Sequence, residues 1–348
     1  MELSTEKNQM LDLMLRPAFW VEAGIIRHIN PAAAYLLLSE GMAVDALIDS
    51  GREEYDQLSD GHLHLQLCIG QQLIGATVVC HEGGRLFLPD TVEASAQFQS
   101  LSLTALQLRE PLAALMSINE HVLPSANSEY AAMANRRLHQ MQRIINNMSD
   151  APRYTDPDCC HKEYTEICGF LEELLEKADG LMQHIGIRIE SVIPREDIYT
   201  LVDREQMERA VYNLLSNAAK FGQNSGGIQV QLVRRRQKLY LSVQSSGAAS
   251  DVGSFYDRLL REPSLEDPAQ GSGLGMVIIR SVAANHGGAV LIDHPDREHT
   301  RITMSLTIDL GKDALVKSPI LGFDYAGEQD HGLLELSDVL PAKLYAME

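Results

Sequence analysis

The sequence is short of cations and cysteines, and it lacks any long apolar run. Lys and Arg together number 29 against 48 Asp and Glu, a formal net charge of −19. Binding to a nucleic-acid backbone depends on clustered cations, so no nucleic-acid partner is expected. No apolar run reaches the roughly 18 residues that a membrane-crossing helix needs. The amino terminus, "MELSTEKNQM", lacks the basic-then-apolar order of a signal peptide. These absences predict a cytoplasmic protein without a membrane span.

The five cysteines form no CxxC pair, which excludes the usual zinc-site spacing and predicts reduced structural thiols. Two histidines, His62 and His64, fall on the same face of a predicted strand in "GHLHLQL". A solvated strand face is favoured there over a metal pair. No metal site is predicted from these residues.

The alternation of helical and strand patterns predicts an α+β protein of several domains. A small α/β module is expected over residues 1–90 and a pair of long helices over 91–150. A linker rich in Pro and Asp over 151–161 then leads to a larger α/β domain over 162–312, with helices on one face of a mixed sheet. The extension over 313–348 is too irregular to assign, and its role is unknown.

Apolar residues in the helical pair recur at alternating spacings of three and four, which is typical of helices that pack along a seam. Two such stripes within one hairpin favour a homodimeric four-helix bundle. The alternative is a hairpin that packs on its own chain's domains. The stripe residues are Phe98, Leu101, Ala105, Leu108, Leu112, Leu115 and Val122 in the first helix, and Ala134, Leu138, Met141, Ile145 and Met148 in the second.

The strongest motif is "GSGLGM", where a glycine-rich loop turns into a helix. Glycines let backbone N–H groups approach a phosphate, and a helix amino terminus favours an anion. About fifty residues upstream, "NLLSNAAKF" places Asn213, Asn217 and Lys220 on one helix face, because residues three and four apart are neighbours. Amides and an ammonium group on one face suit a hydrated cation and phosphate. A polar outer stripe is the alternative for the two asparagines alone.

Together these motifs resemble the ATP-binding domain of sensor histidine kinases, one of the Bergerat-fold (GHKL) families, over residues 162–310. The resemblance implies an α/β sandwich that binds ATP and Mg²⁺. "NLLSNAAKF" is similar to the N box, in which Asn217 would bind Mg²⁺ and Lys220 the phosphates. "GSGLGM" is similar to the G2 box, whose phosphate-cradling residues would be Gly271, Gly273, Leu274 and Gly275. Asn213 stands where hydrolysing relatives carry a glutamate base, which favours holding ATP over hydrolysing it.

The resemblance extends towards the amino terminus. "RPAFWVEAGIIRHINPAAAYLL" resembles the opening of a PAS domain, with a strand, a turn at Gly24, a second strand ending at Asn30 and a helix from Pro31. No cofactor is predicted for that module. "LQLREPLAAL" resembles the H box of the dimerisation and phosphotransfer hairpin, with Leu108, Arg109, Pro111 and Leu112 matching the usual pattern.

Two departures from the family pattern weaken the expected activity. The phosphoacceptor histidine falls at Leu106 and its acidic neighbour at Gln107, so neither a nucleophile nor an orienting carboxylate is present there. In "SVQSSGAAS", Gly247 matches the first glycine of the adenine-binding box, but Ser245 replaces its aspartate and Ala249 its second glycine. A neutral, shorter hydroxyl should hold adenine less well than a carboxylate. Weak binding of ATP and Mg²⁺ is therefore expected.

The favoured interpretation is a pseudo-histidine kinase of two-component signalling. It would act as a homodimer that binds a response regulator or another histidine kinase. One alternative is an active histidine kinase whose phosphoacceptor is displaced, with His139 or His121 as candidates. A second is a scaffold that binds no nucleotide. A third is a kinase of the anti-sigma type, which would leave the helical pair unexplained.

Overall fold

The computed structural model describes residues 8–81, 83–90, 105, 108–109, 112–113, 115–116, 128–155, 160–222, 227–246, 274–296, 298–310 and 331–346. The described strands are β1 (Phe19–Glu22), β2 (Ile25–Ile29), β3 (Ile48–Ser50), β4 (His62–Ile69), β5 (Gln72–His81), β6 (Gly84–Pro89), β7 (Glu163–Glu166), β8 (Ile189–Val192), β9 (Tyr199–Val202), β10 (Ile228–Arg235), β11 (Lys238–Ser246), β12 (Val290–Asp293) and β13 (His299–Thr307). The described α-helices are α1 (Arg52–Gln57), α2 (Ser128–Thr155), α3 (Ile167–Met182), α4 (Arg204–Phe221), α5 (Leu274–Asn285) and α6 (His331–Glu335).

Eleven strands form one sheet in the order β2-β1-β6-β5-β4-β12-β13-β11-β10-β8, with β3 paired to β4 outside this path. β10 and β8 run parallel, whereas the other neighbours run antiparallel. β7 and β9 form a separate two-stranded sheet. The strands of the amino-terminal module and those of the carboxyl-terminal domain therefore share one hydrogen-bonded sheet, joined where β4 pairs with β12.

The two hydrophobic cores lie on opposite faces of this sheet, as β12 illustrates. Successive strand residues point to opposite faces. Val290 belongs to the core formed with α3, α4 and α5, whereas its neighbours Ala289 and Leu291 pack into the core of the amino-terminal module. Leu63 of β4 lies in that second core and is fully buried. A single strand thus contributes to both cores.

Helix α1 adds polar contacts across the joint. The carboxylate of Glu54 accepts two hydrogen bonds of 2.8 Å from Lys238 Nζ at the start of β11, and both side chains are largely buried. Ser50 Oγ donates to the carbonyl of Gly288, at 3.3 Å, just before β12. The amino-terminal module is therefore held to the larger domain by side chains as well as by strand pairing.

The strand face that carries His62 and His64 is covered rather than solvated, which corrects the sequence-based expectation. His64 Nδ1 lies 3.3 Å from Thr77 Oγ1, and its side chain is only 10% exposed. Burial and the nearby charge of Arg280 in α5 lower the pKa of His64 well below its usual value. Burial, together with His294 and Arg280, lowers the pKa of His62 to about 4. Both rings are therefore neutral at pH 7, because a buried imidazole loses its proton more readily.

Strand periodicity predicted most of the individual strands, and the mixed α/β architecture is confirmed. The joining of the amino-terminal strands and those of the larger domain into one sheet was not predicted. The helix predicted over residues 31–42 is wrong, because only a 3₁₀ turn, Pro31–Ala33, forms there. Ile26 donates its backbone N–H to the carbonyl of Met42, and Gly41 donates to the carbonyl of Ile26. A continuous helix would carry residues 41–42 away from β2, so pairing with that strand prevents it.

The helical pair is described only in part. Ala105, Leu112 and Ile145 are buried together, with Leu138 and Met148 packed against them, so much of the predicted seam closes within one chain. Helix α2 extends to Thr155, into the segment predicted as a linker. Its opposite side packs against α5 and the carboxyl-terminal segment. The described seam therefore holds the hairpin together and leaves other apolar residues outside it.

The joint between β4 and β12 should be sensitive to one glycine. Gly61 has φ +87°, and a Cβ atom there would lie 2.3 Å from the carbonyl oxygen of Ile292. Gly41 has a similar φ of +90° but open space around it. We expect Gly61→Ala to reduce the free energy of unfolding by about 1–3 kcal/mol more than Gly41→Ala, since both incur left-handed strain and only one also clashes. Chemical denaturation of both variants checks this, and equal losses would contradict the described joint.

Candidate functional site

Helix α4, which carries the "NLLSNAAKF" motif, is fixed at its amino terminus by Asp203. The Asp203 side chain caps the helix by accepting from the N–H of Gln206 at 3.1 Å. The Asp203 backbone N–H donates to His286 Nε2 at 3.0 Å, and His286 Nδ1 in turn donates to the carbonyl of Val282 at 2.7 Å. Burial lowers the pKa of His286, which agrees with a neutral ring in this tautomer. The start of α4 is thereby tied to the end of α5.

Asn213 is fully buried in the middle of α4. Its Nδ2 donates to the carbonyl of Arg209 at 2.8 Å, and its Oδ1 accepts from Arg143 Nη2 of α2 at 3.1 Å. A Cβ atom at Gly275 would lie 2.8 Å from the same Oδ1. Asn213 therefore lies against both the hairpin helix and the first turn of α5.

Asn217 lies one turn further along α4 and also faces α5. Its Nδ2 is 3.7 Å from Met276 Sδ, a weak contact because a thioether is a poor acceptor. The two sequence motifs, separated by some fifty residues, are thus brought together at the start of α5. Leu274 is buried there, and its neighbour Gly275 is partly buried.

Lys220, in the last turn of α4, is mostly buried and already paired. Its Nζ donates to Asp338 Oδ2 at 2.5 Å, and the two side chains are 14% and 23% exposed. Burial lowers the pKa of Lys220, and the carboxylate of Asp338 opposes this effect. The predicted phosphate-binding ammonium group is therefore held by a residue from the carboxyl-terminal segment.

Ser245 lies near the end of β11, opposite Ile228 and Thr300 on the neighbouring strands. It is buried, with 8% of the residue exposed. A Cβ atom at Gly222, directly after α4, would lie 3.5 Å from the Cβ of Ser245. The predicted adenine-recognising position thus borders the end of the helix that carries Asn213, Asn217 and Lys220.

Several predicted residues lie outside the described part of the chain. These are Gly247, Gly271 and Gly273 of the glycine motifs and Leu106, Gln107 and Pro111 of the H-box-like segment. Arg109 of that segment is described, and its Nη2 donates to Ser149 Oγ of α2 at 2.6 Å. The hairpin helices contact each other at this level.

Sequence reasoning missed an ionic cluster beside α4. Arg143 of α2 donates to Asp338 Oδ2 at 2.7 Å, to Glu335 Oε2 at 3.3 Å and to Ser216 Oγ at 3.4 Å. Arg209 Nε lies 3.6 Å from Glu335 Oε1. The available signal was "GLLELSDVL", in which leucines and valine at helical spacing alternate with two acids three residues apart.

His139, the alternative phosphoacceptor on α2, is held by its surroundings. Its Nδ1 donates to the carbonyl of Asn135 at 2.8 Å, and its ring packs edge-on against Tyr345 with centroids 5.0 Å apart. His121 lies outside the described residues. The described contacts of His139 suit a structural role.

The described residues contain no group of three or more His, Cys, Asp or Glu side chains arranged to hold a metal ion. None of the helices described here is both long and apolar enough to cross a membrane.

Two side chains of α4 are of the right chemical types to bind Mg²⁺ and a phosphate group. Asn217 offers an amide oxygen, which Mg²⁺ accepts as a ligand, and Lys220 offers an ammonium group for phosphate. The donor set therefore fits a nucleotide in kind, although intramolecular partners hold Lys220 and Asn213.

The chain is similar to known proteins over this part of its length. Residues 202–310 match the family described as "Histidine kinase-, DNA gyrase B-, and HSP90-like ATPase". The matched residues include α4, β10 to β13 and α5, and so contain both sequence motifs.

Two curated relatives are sensor kinases. The chain is 23% identical over 213 residues to the sensor histidine kinase WalK of Bacillus subtilis (strain 168), which covers 58% of this chain and 35% of the relative. It is 24% identical over 211 residues to the adaptive-response sensory kinase SasA of Prochlorococcus marinus (strain MIT 9303), covering 58% of this chain and 57% of the relative. The chain thus spans between a third and three fifths of these relatives.

Two solved structures are also similar. Full-length ShkA in complex with AMPPNP gives a TM-score of 0.47 at 18% identity, over 62% of this chain and 47% of that one. Histidine kinase ThkA in complex with response regulator protein TrrA gives 0.42 at 15% identity, over 88% of this chain and 99% of that one. Residues 202–310 thus match a domain of the histidine kinase-, DNA gyrase B- and HSP90-like ATPase type, and the chain is similar in sequence to sensor histidine kinases over 58% of its length.

Proposed function

We propose that this protein is a pseudo-histidine kinase of two-component signalling, which binds Mg²⁺ and nucleotide weakly and regulates a partner without phosphorylating itself. The observation that carries nucleotide binding is the meeting of Asn213 and Asn217 of α4 with the first turn of α5. This places polar side chains at the amino-terminal end of the helix that follows the glycine-rich sequence. The phosphates would lie near Lys220 and the residues from Gly271 to Gly275. Asn217 would hold the metal ion.

The absence of autophosphorylation is proposed from Leu106 and Gln107. Transfer of the γ-phosphoryl group to the protein needs a nucleophilic side chain, and neither leucine nor an amide supplies one. Bound ATP would then act as a ligand whose binding changes the protein. The partner is proposed to be a response regulator or another histidine kinase, by analogy with the sensor kinases that the chain resembles.

Homodimerisation is proposed from apolar side chains that the described hairpin leaves exposed. Leu108 is 45% exposed and Met141 48%, although both belong to the predicted seam. Tyr130, Met133 and Ile144 of α2 are likewise exposed. Exposed apolar residues that recur along one side of a helix are typical of an interface. A PAS-type sensor module over residues 1–90 remains part of the proposal.

Nucleotide binding should be weak and poorly selective for the base, because phosphate contacts do not distinguish adenine from guanine. Ser245→Asp should raise the affinity for ATP by about ten- to a hundredfold, since a hydrogen bond to a charged group contributes about 1.5–3 kcal/mol. GTP should gain less. Calorimetric titration of wild type and variant with magnesium present measures both.

Two controls accompany this titration. Gln244→Glu adds a carboxylate to the opposite face of the same strand and should not change the ATP affinity. Asn217→Ala should weaken the dependence on Mg²⁺. Tight ATP binding by the wild type, or no adenine-specific gain in a folded Ser245→Asp protein, would show that Ser245 is not the adenine-recognising position.

The purified protein should incorporate no acid-labile phosphate from γ-labelled ATP. The reason is the missing imidazole at position 106 and the missing carboxylate at position 107. If label is incorporated, His139→Gln and His121→Gln identify the acceptor. Loss of label in either variant would replace this proposal with an active kinase that has a displaced phosphoacceptor.

Leu108→Glu should convert a dimer into monomers, because a charge in an apolar interface is left without a partner on the facing helix. The control is Leu73→Glu, which changes a leucine of similar exposure, 52%, on β5. Light scattering at micromolar concentration measures the mass of each protein. A monomeric wild type, or a Leu73→Glu variant that dissociates as readily, would refute dimerisation through the hairpin.

A further inference from the structure

The carboxyl-terminal segment, residues 331–346, is built into the nucleotide-binding domain. Leu336, Leu340 and Tyr345 are buried in the same core as α3, α4 and α5. Tyr345 also donates its hydroxyl to the carbonyl of Leu333 at 2.7 Å, which closes the segment on itself. This packing fixes the backbone between Glu335 and Leu340.

That backbone presents the carboxylate of Asp338 to Lys220. The same Oδ2 atom accepts from Lys220 Nζ at 2.5 Å and from Arg143 Nη1 at 2.7 Å. A carboxylate oxygen held by two cations can take the place of a phosphate oxygen, since both are anionic acceptors of charge-assisted hydrogen bonds. Glu335 holds Arg143 and Arg209 in a similar way, one helical turn earlier.

We propose that the carboxyl-terminal segment is an internal competitor of nucleotide, in which the Asp338 carboxylate occupies the place of a phosphate at Lys220. The inference rests on the proposed nucleotide site. A nucleotide that engages Lys220 must first displace Asp338, so the segment lowers the affinity of the site. The chain then regulates its own nucleotide binding through an autoinhibitory contact.

The same contact links the site to the hairpin. Arg136 of α2 donates to the carbonyls of Ser337 and Asp338, at 3.2 and 3.1 Å, and Gln140 donates to the Ser337 carbonyl at 3.0 Å. Displacing Asp338 from Lys220 therefore disturbs the backbone carbonyls that accept these hydrogen bonds from α2. Because coupling between two binding events is reciprocal, whatever loosens α2 from the segment should also favour nucleotide.

The test is titration of the full-length wild type and of Asp338→Asn with Mg-ATP. The asparagine keeps an oxygen acceptor for Lys220 but removes the charge, so we expect affinity to rise about tenfold or more, as loss of a charge-assisted hydrogen bond implies. The control is Asp45→Asn, which removes the charge from an exposed ion pair of 2.6 Å with Arg52, far along the chain. It should leave the affinity unchanged.

A second measurement uses the wild type alone and does not depend on how a variant folds. Amide hydrogen exchange over residues 336–340 should become faster when Mg-ATP is added, because the displaced carboxylate no longer anchors them. Equal Mg-ATP affinity of wild type and Asp338→Asn, or unchanged exchange in saturated wild type, would overturn the internal competitor and leave the nucleotide site intact. If neither protein binds Mg-ATP, the nucleotide site itself is refuted, and the competitor with it.

Discussion

The buried guanidinium of Arg143 is the constraint around which the candidate site is arranged. Five N–H donors on a rigid planar group must all find acceptors once they leave water, and removing a partner from such a buried pair typically costs about 3–5 kcal/mol. Its acceptors come from α4 and from the carboxyl-terminal segment, while Arg143 itself belongs to the hairpin helix α2. Helices α2 and α4 and the carboxyl-terminal segment, which are distant in sequence, must therefore pack together. Removing any one of them would leave buried hydrogen-bonding groups or charges without partners. The position of α2 against the carboxyl-terminal domain follows from this requirement.

Sequence periodicity predicted the strands and helices because the spacing of nearby apolar residues determines which face each of them buries. β4 and β11 begin and end where the alternation of apolar and polar residues does, and the face of α4 that carries Asn213, Asn217 and Lys220 follows from helical spacing. The segment after Pro31 was predicted as a helix because "AAAYLLL" is rich in helix formers. Pairing of residues 41–42 with β2 overrides that preference. The segment's own sequence does not predict this pairing.

The partners of the site residues could not be predicted for the same reason. Lys220 and Asp338 are separated by 118 residues, and Arg143 and Glu335 by 192. The acids and leucines of "GLLELSDVL" were visible, but the cations they meet were not, since the pairing depends on how three elements pack. The nucleotide resemblance also directed Lys220 towards a phosphate, whereas the described structure gives it a carboxylate. The sequence thus showed that Lys220 binds an anion, but not which anion occupies that position.

The pairing of β4 with β12 limits how movement can pass between the two ends of the sheet. His62 and His64 face the α5 side, and Leu63 faces the amino-terminal core, so a slip of one residue would exchange these faces and bury each side chain in the wrong place. The smallest slip that restores both faces is two residues, a translation of about 7 Å that would break every ladder hydrogen bond at the joint. Sliding is therefore excluded as a small-amplitude motion. Any mechanical signal from the amino-terminal strands has to arrive at α5 as a bend or twist of a continuous sheet, and its size is set by the stiffness of that sheet.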